Sequence, residues 1–576
     1  MTISNTRPFL KTVSISLLSL ISVLGMSHTA LAKKAMTYSD PPEDSQLLGD
    51  YLSGSYANLL RDSEARAENF KQAFEASPKD VRLGRRAVTA ALTNGDFDEA
   101  RDLSRQVYKV EKTESMAQTI LAIEAFNKGR HSTVSRYVNS NSADITMAII
   151  MSFTEVWNYA ANGKYDDAIK AAEKQDGRPF FGELAKLQKA KIYALSGNID
   201  KANALYEELK DSEQSSVENV LSMARFYANS NQTEEAQKLL SNYIETTGIE
   251  SGPIQVYADA LAAGRSIEKP LPAEAQLSRA LTEPSYGFFL NNRAADAAEV
   301  YLRLALEIDP KNEKAKLWLA SLLDRTERSD AAMDIYKSFA EKSSYVISAR
   351  LSEANIYFDR DEDDKALKVL TNLNDRHETF VTREALGRAR LIREKYQEAL
   401  PIYTAIVDSM SEEDITANTQ PLYFRGIIYE RIKEWDKAEK DFLRVLEIEP
   451  ENADALNYLG YTWVDRGENL TRAFDMIRKA VELEPQSGAI IDSLGWAHYK
   501  LGEYEDAKIQ LEKAVTLSPS SATIVDHLGD VYWKLGRYRE AGYQWERALI
   551  YDPTDEERDM IKKKLKSGLS AATLAP

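Results

Sequence analysis

Between Ile491 and Ala507 the chain reads IDSLGWAHYKLGEYEDA, which sets Asp492, Ser493 and His498 close together. These are the residue types of a nucleophilic triad, in which an imidazole takes the serine proton and a carboxylate orients the imidazole. Their spacing argues against that chemistry. Residues three and four apart share a helix face, so Ser493 and His498, five apart, point in different directions. No strained G-x-S-x-G elbow surrounds the serine. The matching stretch further on carries Asp526, His527 and Asp530 and has no serine. Zinc-protease, P-loop, dinucleotide-binding and calcium-loop signatures are absent from the sequence. The expectation is a chain that is not an enzyme, with no catalytic residue, no cofactor and no metal ligand. The alternative is a metal-binding or hydrolytic protein in which His498 and His527 approach across neighbouring units beside Asp492 or Asp526.

Composition narrows the class. A chain of 576 residues with 43% hydrophobic and 28% charged residues is a folded protein, and its sparse Gly and Pro favour helices. A net charge of −17 argues against nucleic acid as a partner, which needs a basic footprint. There is no cysteine, which excludes disulfides, thiolate zinc sites, a cysteine nucleophile and a lipid-modified N-terminal Cys. Arg7 and Lys11 precede an apolar run from Thr12 to Met26, and Ala30-Leu31-Ala32 supplies an A-x-A cleavage pattern. Residues 1–32 are therefore expected to be a signal peptide cleaved after Ala32, giving a periplasmic protein. The run is too short for a comfortable membrane span, so the mature form is expected to have none.

A period of about 34 residues organises the rest. Its clearest copies are 453–487, 488–521 and 522–555, each with Leu-Gly early, Gly at a central turn, two Ala later and Pro near the end. A small residue recurs early in each unit, at Ala190, Ala224, Ala320, Ala354, Gly387, Gly426, Gly460, Gly495 and Gly529. Close antiparallel helices leave no room for more at such a contact. Starts at Leu47, Val81, Ser115, Ile149, Glu183 and Val217 keep the spacing of 34 and put Gly95, Gly129, Gly163 and Gly197 at one turn. The frame breaks in 244–276, where Gly and Pro cluster. The reading is a signal peptide (1–32), a leader (33–46) and an N-terminal array of about six units (47–250). An irregular linker or degenerate repeat (251–278), a C-terminal array of about eight units (279–555) and a capping helix with a tail (556–576) complete it.

This pattern resembles the tetratricopeptide repeat (TPR). The resemblance implies an all-α helix-turn-helix solenoid, a right-handed superhelix, here in two arrays. NYLGYTWVDRGENL, IDSLGWAHYKLGEYEDA and DHLGDVYWKLGRYREAGYQWERAL are further similar to a group of exported proteobacterial TPR proteins, over most of the mature chain. More distantly, the architecture is similar to an outer-membrane TPR lipoprotein that serves as adaptor for a carboxyl-terminal processing protease. The chain lacks that protein's lipidated cysteine, so anchoring does not carry over. In TPR proteins the first helices line a concave groove, which implies partner-binding positions at Asn457, Tyr461, Asp492, Trp496, Tyr499, Asp526, Asp530 and Trp533. Aromatic rings beside hydrogen-bonding groups are the composition of a protein-recognition surface. A carboxylate clamp, which uses Lys, Arg and Asn there, is not expected. The expected function is a non-enzymatic scaffold or adaptor for other proteins of the envelope or periplasm, including a protease or an assembly factor. Self-association through the end repeats stands as a further mode.

Overall fold

In the computed structural model the described residues are 43–138, 144–176, 181–210, 217–247, 252–267, 271–290 and 295–569. The predicted signal peptide and most of the predicted leader lie outside them, as do the last seven residues of the tail. Among the described residues there are 31 α-helices and no strand. Most consecutive helices pack as antiparallel pairs, and many second helices also touch the first helix of the following pair. The chain divides into two compact units, one ending at Ala117 and one beginning at Gln118. That division falls inside the helix Ser115–Asn127, whereas the sequence pattern places its break at 251–278.

Local chemistry explains the pairs. Many first helices begin on a side chain that accepts from the open backbone N–H groups, as Asn452 Oδ1 does from Ala455 N at 2.9 Å. The turn between the helices needs left-handed backbone. Gly95, Gly129, Gly163 and Gly197 supply it at φ between 62° and 92°, and Gly467, Gly502 and Gly536 do so near the C-terminus. In the intervening units that turn falls on Asn231, Glu327, Asp361, Glu394 and Lys433, all with positive φ. Such residues carry the Cβ–carbonyl crowding that glycine avoids, about 1–2 kcal/mol each.

The small residues in the first helices are contact points. A Cβ on Gly495 would sit 2.6 Å from Leu511 Cγ, one on Gly529 2.6 Å from Trp545, and one on Gly460 3.0 Å from the Ala473 carbonyl oxygen. The facing Ala473, Ala507 and Ala541 are fully buried. In the first unit Gly84, one turn nearer the start of its helix than that position, makes a different close approach, where a Cβ would come within 2.4 Å of Val107.

Within the second unit, the segment read as an irregular linker or degenerate repeat carries one helix and the start of another. Pro253 opens the helix Pro253–Ala262, where its missing N–H has no partner to lose. The helix Ala273–Leu290 then runs through Pro284. Its packing explains why it forms. The helix Ile145–Ala161 has twelve of its seventeen residues buried, with apolar groups on all sides, so its own pair partner cannot cover it. Ala273–Leu290 packs against it, with Leu277 and Leu281 fully buried, and the Tyr301 hydroxyl donates to the Thr146 carbonyl at 3.1 Å.

The same fold-back buries a carboxylate. Glu218 receives Lys191 Nζ at 2.9 Å, the Ser222 hydroxyl at 3.1 Å and Arg279 at 3.5 Å, joining the helices Phe181–Leu195, Val217–Asn229 and Ala273–Leu290. Burial alone would raise the Glu218 pKa, but Lys191 and Arg279 outweigh it and hold the carboxyl well below its ordinary range. Removing one partner of a buried pair strands the other. Glu218→Ala is therefore expected to lower stability by about 3–5 kcal/mol at neutral pH, read from the shift of a urea unfolding curve.

Candidate functional site

The eight positions proposed for partner binding lie on three successive first helices. Asn457 and Tyr461 are on Ala453–Arg466, Asp492, Trp496 and Tyr499 on Gly488–Leu501, and Asp526, Asp530 and Trp533 on Ala522–Lys534. The repeat sets them in columns: Asn457, Asp492 and Asp526 occupy one position, and Tyr461, Trp496 and Asp530 the next. Asp492, Tyr499 and Asp530 are buried, and the other five are half-buried.

The structure joins several of them. Asp492 Oδ1 lies 3.0 Å and Oδ2 3.1 Å from His527 Nδ1. The Trp496 indole is stacked on Tyr499 (centroids 4.6 Å apart, planes at 11°) and on His527 (4.1 Å, 19°). Asp526 and Asp530 share the ammonium of Lys564, at 2.6 and 2.8 Å, and Trp545 Nε1–H donates to Asp530 Oδ1 at 2.9 Å. Trp533 packs edge-on to Tyr538, and a Cβ on Gly568 would overlap its ring at 2.1 Å. One edge of Trp533 is thus covered by the end of the helix Asp555–Ser567. Asn457 and Tyr461 are not drawn into this network.

Four polar atoms of this set are buried without a hydrogen-bond partner among the described residues: Asn457 Oδ1, Trp496 Nε1, Tyr499 Oη and Asp526 Oδ1. Each such group costs about 1–3 kcal/mol while it stays unpaired.

Charge in the cluster is coupled. Burial by itself would lower the His527 pKa, but Asp492, with Asp526 and Asp530 beyond it, outweighs burial and raises it above the ordinary imidazole value. Burial and the neighbouring Asp526 push Asp530 up to about 6, against the pull of Lys564. Burial would also lower Lys564, and the two aspartates reverse that.

Three members of the cluster were not singled out as groove residues from the sequence. Trp545 reads there as core filling, and His527 as a histidine that hydrogen-bonds between packed helices or, in the alternative, as a metal ligand. Lys564 reads as part of a charged cap, in KKKLK. Its signal was available: Lys564 lies one more period beyond Asp530, as Asp530 does beyond Trp496. The alternative's metal set needs correcting. His527 is taken up by Asp492, whereas His498 Nδ1 lies 2.7 Å from Glu503 Oε2, with its ring edge-on to Phe474 at 4.9 Å. Among the described residues, the group with metal-ligand spacing contains His498 but not His527.

Residues 423–488 and 493–556 match the family model described as tetratricopeptide repeat. These segments are tetratricopeptide repeats. With the helix pairs described above, the fold is an all-α TPR solenoid. Over 205 residues the chain is 30% identical to the TPR repeat-containing protein PA4667 of Pseudomonas aeruginosa, a stretch that is 35% of this chain and 28% of that protein. The chain thus spans less than a third of that relative's length. Among solved structures, it is similar to the APC/C hetero-tetramer Cut9–Hcn1 (15% identity, 92% of this chain and 97% of that one, TM-score 0.36). It is also similar to yeast Tom70 (14% identity, 91% and 96%, TM-score 0.28). The matched family is a repeat family and indicates no catalytic activity. TPR proteins bind other proteins, and no helix among the described residues is long and apolar enough to cross a membrane.

The His527–Asp492 pair has a signed pH dependence. A folded pKa above the unfolded value of about 6.5 gives stability that is fully present below that value and lost as pH rises through the folded pKa. Asp492→Asn is expected to lower the melting temperature at pH 6 and to close most of that gap at pH 9. Thermal melts of both chains across this range check it.

Proposed function

We propose that this chain is a non-enzymatic periplasmic scaffold that holds a segment of another protein along the first helices of its C-terminal repeats. The observation that carries this reading is the set of unpaired polar atoms on Asn457, Trp496, Tyr499 and Asp526. The indole N–H is a donor, the carboxamide and carboxylate oxygens are acceptors, and the phenol can act as either. A polypeptide main chain is the ligand that carries an N–H and a C=O in every unit. A segment entering between these helices would pair groups that the fold leaves unpaired. The half-buried Trp496, already held by stacking on Tyr499 and His527, would offer its edge at little further cost in side-chain entropy.

The reading extends to compartment and pathway. The basic-flanked apolar run and the A-L-A site support export, and export supports partners in cell-envelope assembly or proteolysis. Trp533 contributes less than its residue type suggests, because Gly568 and Tyr538 already cover it. The principal contacts are therefore assigned to Asn457, Trp496 and Tyr499.

Proximity labelling and pull-down from envelope extract provide the test. Trp496→Ala is expected to lose a partner that the unaltered chain retains, while its circular dichroism stays helical. Lys562→Ala, on the exposed side of the terminal helix, is expected to keep that partner. An unchanged set of captured proteins with an intact fold removes the groove assignment. Export is tested separately by an alkaline phosphatase fusion after residue 60, which is expected to be active only outside the cytoplasm.

A further inference from the structure

Three consecutive C-terminal repeats use one location in three ways. The eleventh residue of each first helix is a ring: Trp463 in Ala453–Arg466, His498 in Gly488–Leu501 and Tyr532 in Ala522–Lys534. In the first of these repeats an arginine from the start of the second helix covers the ring, with the Arg472 guanidinium 5.1 Å from the Trp463 centroid. In the third, Arg537 lies 4.2 Å from the Tyr532 centroid and is paired with Glu540. A ring with a cation beside it is thus the local solution in both flanking repeats.

The middle repeat reverses the charge. The residue before its second helix, Tyr504–Leu517, is Glu503 where the third repeat has Arg537. The third residue of that helix is Asp506 where the first repeat has Arg472. One ligand atom each from His498, Glu503 and Asp506 lies within 4.8 Å of the others. Glu503 has the His498 imidazole as its partner at 2.7 Å, and no Lys or Arg among the described residues forms an ion pair with either acid. The location therefore holds an imidazole and two carboxylates where its neighbours carry their own cation.

We infer that this turn binds a divalent transition-metal ion through His498, Glu503 and Asp506. One imidazole nitrogen and two carboxylate oxygens suit a borderline cation such as Zn²⁺. Bonds of about 2.0–2.2 Å put tetrahedral ligands roughly 3.4 Å apart, so the 2.7 Å His498–Glu503 contact opens slightly and Asp506 closes in. Both adjustments are rotations of exposed or half-exposed side chains. The Phe474 contact holds the imidazole, and the fixed turn at Gly502 holds the two helix ends, so little else must be ordered. Bound metal would tie the end of one helix to the start of the next, two residues from Trp496. A fourth coordination position stays open to water or to a ligand supplied by a bound protein.

Calorimetric titration of the full mature chain with zinc chloride at pH 7.5 is the test. One ion per chain in the micromolar range is expected. Asp506→Asn, an exposed change that leaves packing intact, and Glu503→Gln should each weaken binding by at least about tenfold. His498→Ala should abolish it, and His527→Gln should leave it unchanged. In imidazole ¹⁵N spectra the His498 ring should shift on titration, with no matching change at His527. Absence of binding at millimolar zinc, or binding that survives both Asp506→Asn and His498→Ala in folded protein, overturns the assignment.

Discussion

How closely two helices can approach decides the rest of this molecule. Where Gly460, Gly495 and Gly529 meet Ala473, Ala507 and Ala541, the helix axes come nearer than any larger side chain would allow. That contact fixes the orientation of each pair, and repetition of the contact keeps successive pairs in register. Register in turn places Asn457, Asp492 and Asp526 in one column and lets Asp492 reach His527 across a repeat boundary. The chemistry at the surface is thus a by-product of steric exclusion in the interior. A side chain added at one glycine would displace a whole column, along with the pair that carries it.

A second constraint acts where the pairing rule is insufficient. Ile145–Ala161 has no polar face to give to water, so a single pair partner leaves it exposed. Ala273–Leu290 supplies the missing cover and brings Arg279 to the buried Glu218–Lys191 pair. Burying an ion pair at that junction is costly unless every charge is matched. The match imposes a unique seating on helices that apolar packing alone would let slide.

The parts legible in the sequence were those governed by short-range rules. The 34-residue period, the small contact residues and the glycine turns all report on neighbours within one repeat. Ala273–Leu290 was harder to read because Pro270, Pro272 and Pro284 look like breakers. Two of them precede the helix, and the third is tolerated inside a helix held by tertiary packing. The apolar run TMAIIMSF was visible, but nothing in one sequence says which distant helix will cover it. The same limit applied at the groove. The aromatic and acidic types at Trp496, Asp526 and Asp530 could be located from the pattern. Their capture by His527 and Lys564 depends on contacts across repeats. Lys564 in particular serves a helix that takes the place of one more first helix after the last full repeat.

The turn residues add a gradient that runs along the chain. Glycine forms the left-handed turn from Gly95 to Gly197 and again from Gly467 to Gly536, whereas Asn231, Glu327, Asp361, Glu394 and Lys433 hold it in the units between. Each of those five middle turns carries a side chain in the left-handed region where a glycine turn carries none, so replacing one of them by glycine relieves crowding that the same change elsewhere would not.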